Sequence, residues 1–296
     1  MQTTQVATRF RSPVLLDMSL PSSLLLAPAR TPAVFNPRDL VGGLEKGLAV
    51  ISAFDLDKPR LTITEVANRA GLSRAAARRY LLTLTQIGYA HHDGRCFSLT
   101  PRVLRLGQSY LHSARLPRMI QPRLNQLVAH TGDASAAGVL DGDDVLSIAA
   151  CGGGLPPSAR LQPATRVPAY CSANGRVLMA FRPESEWGPW IERQRLLPRT
   201  SQTITDPGQL LRELERTRQQ GYALVDQELD IDLRTLAVPL HNNRGQLVAA
   251  VNLGASAARR SLDDLVARGD QRDPRGAVHD DGGDARRGEQ AEVLRT

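Results

Sequence analysis

The sequence predicts an α+β protein in two parts: a small helical domain with a hairpin, then a connecting helix and a domain of antiparallel strands mixed with helices. Three observations predict it. Residues 61–99 read as two short capped helices joined by a glycine turn and followed by a hairpin signal. The pair Thr100-Pro101 then opens an amphipathic helix, with Thr as cap and Pro at the first helical position. From Ala134 the apolar pattern breaks into short runs separated by turn residues and interleaved with helical periods. A chain of 296 residues is long enough for two cores, and a hydrophobic content of 42% excludes a wholly disordered one.

Residues 1–38 are rich in Pro, Ser, Thr and Arg and read as a disordered leader, for which an overlong start is one origin. Leu24-Leu25-Leu26 is too short for the apolar core of a signal peptide. An organelle transit peptide is a weaker reading, because the segment holds Asp17 and lacks an amphipathic period. Residues 40–54 contain a helix, with Leu44, Leu48, Ile51 and Ala53/Phe54 as its expected apolar side. In the next stretch Thr62 and Glu65 fit a capping box, Gly71 suits the left-handed residue that ends the helix, and Ser73 caps its successor. Along that successor Ala77, Tyr80, Leu81 and Leu84 recur at spacings of three and four and mark the buried stripe. Asp93-Gly94 between two strand-like runs makes a two-residue hairpin.

Cap, glycine turn, basic second helix and hairpin in this order define a winged helix-turn-helix over 40–100, rather than a solvated basic helix on an ordinary helical domain. The second helix enters a major groove with its N-terminal end first. The expected DNA-contacting residues are Thr62, Ser73, Arg74, Ala75, Ala76, Arg78 and Arg79, with Arg95 at the wing. Arginine grips guanine in a bidentate manner or neutralises phosphate, and alanine permits close approach to a thymine methyl. A net charge of +7 suits a polyanionic partner, here a double-stranded DNA operator. Aromatic residues at 4% are too few for single-strand binding by stacking.

Residues 101–116 form the linker helix, and a second helix restarts at Pro117 and runs to His130. Strands follow over 134–140 and 145–150 around the turn Asp141-Gly142-Asp143. A flexible loop comes next at Gly152-Gly153-Gly154, then a helix over 176–181, another over 210–220, and strands over 222–225, 233–240 and 246–253. The second domain thus spans 117–267. The tail over 268–296 is polar, aperiodic and reads as disordered. Three cysteines, Cys96, Cys151 and Cys171, in no paired spacing argue against a disulfide framework and for a reducing cytoplasm. No apolar run approaches the roughly 20 residues a membrane helix needs, so no membrane partner is expected.

Four stretches in order, GLEKGLAVISAF, LTITEVANRAGLSRAAARRYLLTLTQIGYA, VPAYCSANGRVLMAF and QGYALVDQELDIDLRTLAVPLHNNRGQLVAAVNLGAS, resemble the IclR family of bacterial transcriptional regulators. The resemblance covers about 40–265 and lies nearest the branch that controls protocatechuate, 4-hydroxybenzoate and β-ketoadipate catabolism. It implies a GAF-like effector domain with an antiparallel sheet, a small aromatic or dicarboxylic acid as effector, and a homodimer or tetramer, with RNA polymerase as a further partner. The positions that match the family's effector pocket are Ala173 and Asn174 at a helix start, Asp226, Thr235, Asn252 and Gly254. A helix N-terminus there favours a carboxylate, and Thr235 and Asn252 supply hydrogen-bond donors. Two departures stand out. Asp232 occupies a position where the family has Gly, which demands positive φ of a residue with a side chain and sets a charge beside the pocket. The amphipathic C-terminal helix begins at Leu262 and Leu265 but loses its pattern near Ala267, as a shifted reading frame would produce.

Other chemistries find little support. Cys171-Ser172 lacks a histidine in catalytic context, so no catalytic residue is expected. His91 and His92 are adjacent on a strand and point to opposite faces, so no metal site is expected either. The glycine loop lacks the Lys-Ser/Thr of a phosphate loop, and no cofactor motif is present. Asp226 and Glu228, two apart on a strand, would share a face, equally suited to structural hydrogen bonds or ligand contact. The alternatives are a DNA-binding module with a non-functional sensor domain and, behind it, a small-acid hydrolase or transferase, for which no convergent nucleophile and base are visible.

Overall fold

Helix α1 (Gly42–Ser52) lies across α2 (Ile63–Ala70) and α3 (Arg74–Gln86) in the computed structural model, which describes residues 35–55, 58–152 and 162–270. The leader up to residue 34, the loop from residue 153 and the tail from residue 271 lie outside the described residues. The three helices enclose Val50, Leu61, Val66, Ala77, Leu81 and Phe97. Burial of a Val, Leu or Phe side chain stabilises by roughly 1.5–3 kcal/mol. The capping box is complete: the Glu65 amide donates to the Thr62 hydroxyl at 3.3 Å, and the Thr62 amide donates to the Glu65 carboxylate at 2.9 Å. Gly71 ends α2 at φ +65°, and Ser73 accepts from the Ala76 amide at 3.2 Å to begin α3.

The expected apolar side of α1 is corrected in part: Ile51, Ala53 and Phe54 pack on the core as expected, but Leu44 and Leu48 do not. Val50 and Ala53 are buried, whereas Leu44 and Leu48 are 66% and 51% exposed. Gly43, Gly47 and Val50 share a face, and the Tyr80 side chain lies over both glycines, 3.7 and 3.9 Å from where their Cβ atoms would stand. The helix therefore packs by its glycine strip, and its leucines turn outward. The wing is a three-stranded antiparallel sheet of β1 (Arg60–Leu61), β2 (Ala90–His92) and β3 (Phe97–Leu99) in the order β1-β3-β2. Two-residue β1 is too short to leave a period in the sequence.

A 3₁₀ turn at Pro101–Val103 leads into α4 (Leu104–Ser113) and α5 (Arg115–Thr131). Residues 104–110 of α4 are exposed all round. Helix α5 starts two residues before the expected restart, because Pro117 falls in the first turn, where a missing N–H breaks no intrahelical bond.

The second domain is a six-stranded sheet of β4 (Ala134–Asp141), β5 (Asp144–Cys151), β6 (Arg166–Pro168), β7 (Ala223–Asp226), β8 (Leu233–His241) and β9 (Leu247–Ser256). Its order is β6-β5-β4-β9-β8-β7, and every neighbouring pair is antiparallel. Strand residues alternate between two cores. One core holds Val145, Val225, Ala237 and Ala250 beneath α6 (Ala173–Ala180), α7 (Trp187–Arg193) and α8 (Pro207–Gln220). The other holds Ile148, Val238, Val248 and Val251 against α5. Helix α9 (Leu262–Asp270) adds Leu265, fully buried on Leu236, Leu253 and Ala255. Strand β6 and helix α7 escaped the sequence reading because they are three and seven residues long. Helix α6 begins at Ala173 rather than Arg176, because Ser172 caps it by accepting from the Gly175 amide at 3.2 Å. All eight of its residues are buried, so it has no polar face to give a helical period.

Candidate DNA interface and ligand cavity

On α3 the residues turned away from the core include Arg74, Ala75, Arg78 and Arg79. The guanidinium groups of Arg74, Arg78 and Arg79 pair with no described residue. Ser73 and Arg95 are exposed as well, while Thr62 and Ala76 are half-buried. Thr62 and Ser73 spend their hydroxyls as caps, accepting from the Glu65 and Ala76 amides. Leu82, 40% exposed, shares the outward stripe with Ala75, Arg78 and Arg79 at i, i+3, i+4 and i+7. It was not among the sequence candidates, because apolar residues on this helix read as core. The wing turn is held by Asp93, which accepts from the amides of Arg95 and Cys96 at 2.9 and 2.7 Å and pairs with Arg60. His92 stacks on Phe97 with ring centroids 4.2 Å apart, a packing role rather than a metal site. No cluster of His, Cys, Asp and Glu able to hold a metal occurs among the described residues. No helix among them is long and apolar enough to cross a membrane.

In the second domain a cavity of about 40 Å³ opens at the start of α6. Its apolar wall is Val145, Val167, Val225, Leu229 and Leu233, and its polar groups come from Ser147, Thr165, Ser172, Asn174, Thr235 and Asn252. Ala173, Asn174, Thr235 and Asn252 are thus brought together, as expected from the sequence; Ser147, Leu229 and Leu233 were missed because their strands and loop meet α6 only in three dimensions. The first amides of α6, those of Ala173 and Asn174, have no intrahelical acceptor. The Asn252 side chain is anchored, its Oδ1 accepting from the Ala136 amide at 2.9 Å. Asn174 is 5% exposed and its Oδ1 has no hydrogen-bond partner. Gly138 leaves room for it: a Cβ there would stand 3.2 Å from Asn174 Nδ2. Gly175 is tighter still, since a Cβ would fall 2.1 Å from the Ala169 carbonyl oxygen.

Asp226 and Gly254 do not line the cavity. Val225 does, so Asp226, the next residue on β7, faces the other side of the sheet. There Arg234 Nε donates to its carboxylate at 2.7 Å and holds its pKa below the usual value. Gly254 pairs with Thr235 and lies 3.6 Å, by its would-be Cβ, from the Thr235 methyl. The shared face expected for Asp226 and Glu228 is also corrected. Gln227 adopts φ +56°, the strand ends, and Glu228 turns inward to a buried ion pair with Arg176 at 2.6 Å. Glu228 also accepts from the Ile204 amide at 3.1 Å, and Arg176 Nε donates to the Tyr170 carbonyl at 3.3 Å. Asp232 does have positive φ, +67°. Its carboxylate does not enter the cavity lining; it accepts from the Ser256 hydroxyl at 2.8 and 2.9 Å and from the Ala258 amide at 3.0 Å. The Ser256 hydrogen bond, ahead of the Ala258 amide, lowers its pKa. Cys171 is buried, and burial pushes its thiol up to about 11, which makes it a poor nucleophile.

An arginine-faced winged domain, joined to a sheet domain that encloses a small cavity beside a helix N-terminus, defines a class: a DNA-binding regulator with a small-molecule sensor. Comparison with known proteins carries this to the family level. The family model for the IclR helix-turn-helix domain matches residues 43–94, and that for the bacterial transcriptional regulator IclR C-terminal domain matches residues 108–268. The chain belongs to the IclR family of transcriptional regulators. It is 37% identical over 269 residues to the Pca regulon regulatory protein of Pseudomonas putida, covering 88% of this chain and 92% of that one. It is 40% identical over 219 residues to the p-hydroxybenzoate hydroxylase transcriptional activator of Acinetobacter baylyi, covering 72% and 81%. Among solved structures, a transcriptional regulator from Rhodococcus sp. RHA1 matches with a TM-score of 0.65 at 38% identity, over 78% of this chain and 96% of that one.

Proposed function

We propose that this regulator controls genes of aromatic-acid catabolism in response to a small aromatic or dicarboxylic acid bound at the start of α6. The observation that carries the reading is the cavity itself, where Ala173 and Asn174, whose amides have no intrahelical acceptor, line a compartment with apolar walls. Thr235 and Asn252 complete the proposed ligand set, Gly254 supports it by close approach to Thr235, and Asp226, engaged by Arg234, stands outside it. The names of the relatives in P. putida and A. baylyi favour the same pathway class. The cavity is smaller than the ~150 Å³ in which an engineered apolar cavity holds benzene. Binding of a ring-sized acid therefore requires side chains of the apolar wall, Leu229 and Leu233 among them, to change position.

On the DNA side, Thr62, Ser73, Arg74, Ala75, Ala76, Arg78, Arg79 and Arg95 form the proposed operator face, with 40–100 as the reading domain, 101–116 as the linker and 117–267 as the sensor. Leu82 adds an apolar contact suited to a thymine methyl. A homodimer or tetramer sets two recognition helices on half-sites about one helical turn or a multiple apart. The exposed Leu44, Leu48, Leu104, Leu106 and Tyr110 favour association of copies over a monomer. The effector then biases the spacing of the DNA domains by binding one arrangement more tightly than the other, and RNA polymerase is the proposed recipient of that change. A thermal-shift series with protocatechuate, 4-hydroxybenzoate and β-ketoadipate, followed by operator titration with and without the active acid, tests the reading. A saturable rise in Tm with one acid and a changed operator affinity are expected; a cooperative melt unmoved by every acid, with operator binding intact, favours the non-functional sensor instead.

A further inference from the structure

We infer that Thr100 and Arg102 are positioning residues for operator choice. They clamp the end of the recognition helix α3 to the first turn of the linker, and so set which separation of half-sites the protein accepts, while the bases read within each half-site are left to the other end of α3. The inference rests on the reading of two recognition helices on paired half-sites and adds the joint that holds them apart.

The clamp is built on carbonyls that a helix end leaves without intrahelical partners. The Tyr89 amide donates to the Leu84 carbonyl at 2.8 Å, and the Gly88 amide to the Thr85 carbonyl at 3.0 Å. The Ile87 and Gly88 carbonyls are taken from outside the helix. Arg102 Nη1 donates to the Ile87 carbonyl at 2.7 Å, and the Thr100 hydroxyl donates to the Gly88 carbonyl at 2.6 Å. That same hydroxyl accepts from the Arg102 amide at 3.3 Å, so one side chain closes α3 and caps the turn that opens the linker. The Thr100 amide donates to the Tyr89 carbonyl at 2.9 Å. Arg102 also lies over the Tyr89 ring, 5.3 Å from its centroid, and Tyr89 packs on the core of the DNA domain. Gly88 has φ +79°, and a Cβ there would stand 3.0 Å from Arg102 Nη1, so turn and clamp both favour glycine.

Leverage follows from length. Helix α3 has 13 residues and is about 20 Å long. Arg74 lies in its first turn, the end proposed to enter the groove, and the clamp grips the opposite end. A rotation of about 10° at the clamp swings that first turn by about 3.5 Å, close to the rise of one base pair. Across the joint, α4 carries the exposed Leu104, Leu106 and Tyr110 proposed above for association of copies. A loosened clamp therefore leaves each α3 reading the same bases while the distance between two of them drifts.

The test is selection of binding sites by the full chain from a pool of random duplexes of roughly 40 base pairs, read by sequencing. The parent chain should recover one motif, present twice, at a separation enriched at least about tenfold over separations one base pair away. Arg102→Met and Thr100→Val should each recover the same motif with that preference reduced to about threefold or less. Arg105→Met removes an equal charge one turn along the linker and should select as the parent does. Should one clamp variant lack a cooperative melt, the other decides. A separation held as sharply by a folded clamp variant, a changed motif, or equal broadening in Arg105→Met overturns the inference and leaves the paired half-sites standing. A parent chain that selects a single unpaired motif overturns both.

Discussion

Arg176 and Glu228 form a fully buried ion pair, Nη2 to Oε2 at 2.6 Å, that ties the helix bearing the cavity amides to the segment bearing Leu229. Removing one partner strands the other charge in the core, which costs about 3–5 kcal/mol. Arg176→Met and Glu228→Leu should each lower the urea midpoint sharply, and the double variant should recover much of the loss. Single variants no less stable than the double would show the charges are not coupled.

The recognition face predicts a second result. Arg78→Ala should weaken operator binding by about 1–3 kcal/mol if it grips a base, with relaxed selection at that base pair, and Arg74→Ala should do the same. A purely phosphate-contacting arginine would instead weaken all sequences alike and reduce the salt dependence of binding by about one ion. Fluorescence anisotropy on operator and scrambled duplexes separates the two, and unchanged affinity in both variants would move the interface elsewhere.

Glu65 predicts an acid dependence. The Thr62 amide, then the Thr62 hydroxyl and Lys58, hold its carboxyl at about 2, well below the usual value. A carboxyl depressed in the folded state contributes its stability above its unfolded pKa of about 4.3 and loses it as pH falls toward the folded value. The Tm gap between the parent chain and Glu65→Ala should therefore be widest above about pH 4.5 and close as pH approaches about 2. A gap independent of pH would mean the cap acts through packing alone.

Asp232 carries two opposed effects, a left-handed backbone and a set of hydrogen bonds to Ser256 and Ala258. Asp232→Gly relieves the first and loses the second; Asp232→Ala keeps the strain and loses the bonds. Chemical denaturation should rank Ala below both Gly and the parent chain. Ala matching Gly would show that positive φ costs nothing there.

What the sequence made legible follows from where each signal is stored. The capping box, Gly71 and the Ser73 cap are local, and each stands in the structure where the residue types place it. The α1 stripe was misread because Gly43 and Gly47, which leave no apolar period, lie toward Tyr80, while Leu44 and Leu48 turn outward. Helix α6 hid its start because it is buried on every side. In the cavity, Asn174 and Thr235 lie on segments that motif resemblance could single out, whereas Leu229 reaches the same space only through the turn at Gln227, a left-handed residue that no composition rule marks.

Gly175 sets a limit on how this sensor can be retuned. Its Cα sits so close to the Ala169 backbone that any side chain would have to displace main chain rather than a rotamer. The neighbouring Asn174 has no such constraint toward the cavity. A saturation library across the mouth should thus split sharply, with position 174 yielding folded variants of altered ligand choice and position 175 yielding almost none. For anyone converting the protein into a biosensor, the adjustable dial and the fixed mount are adjacent residues.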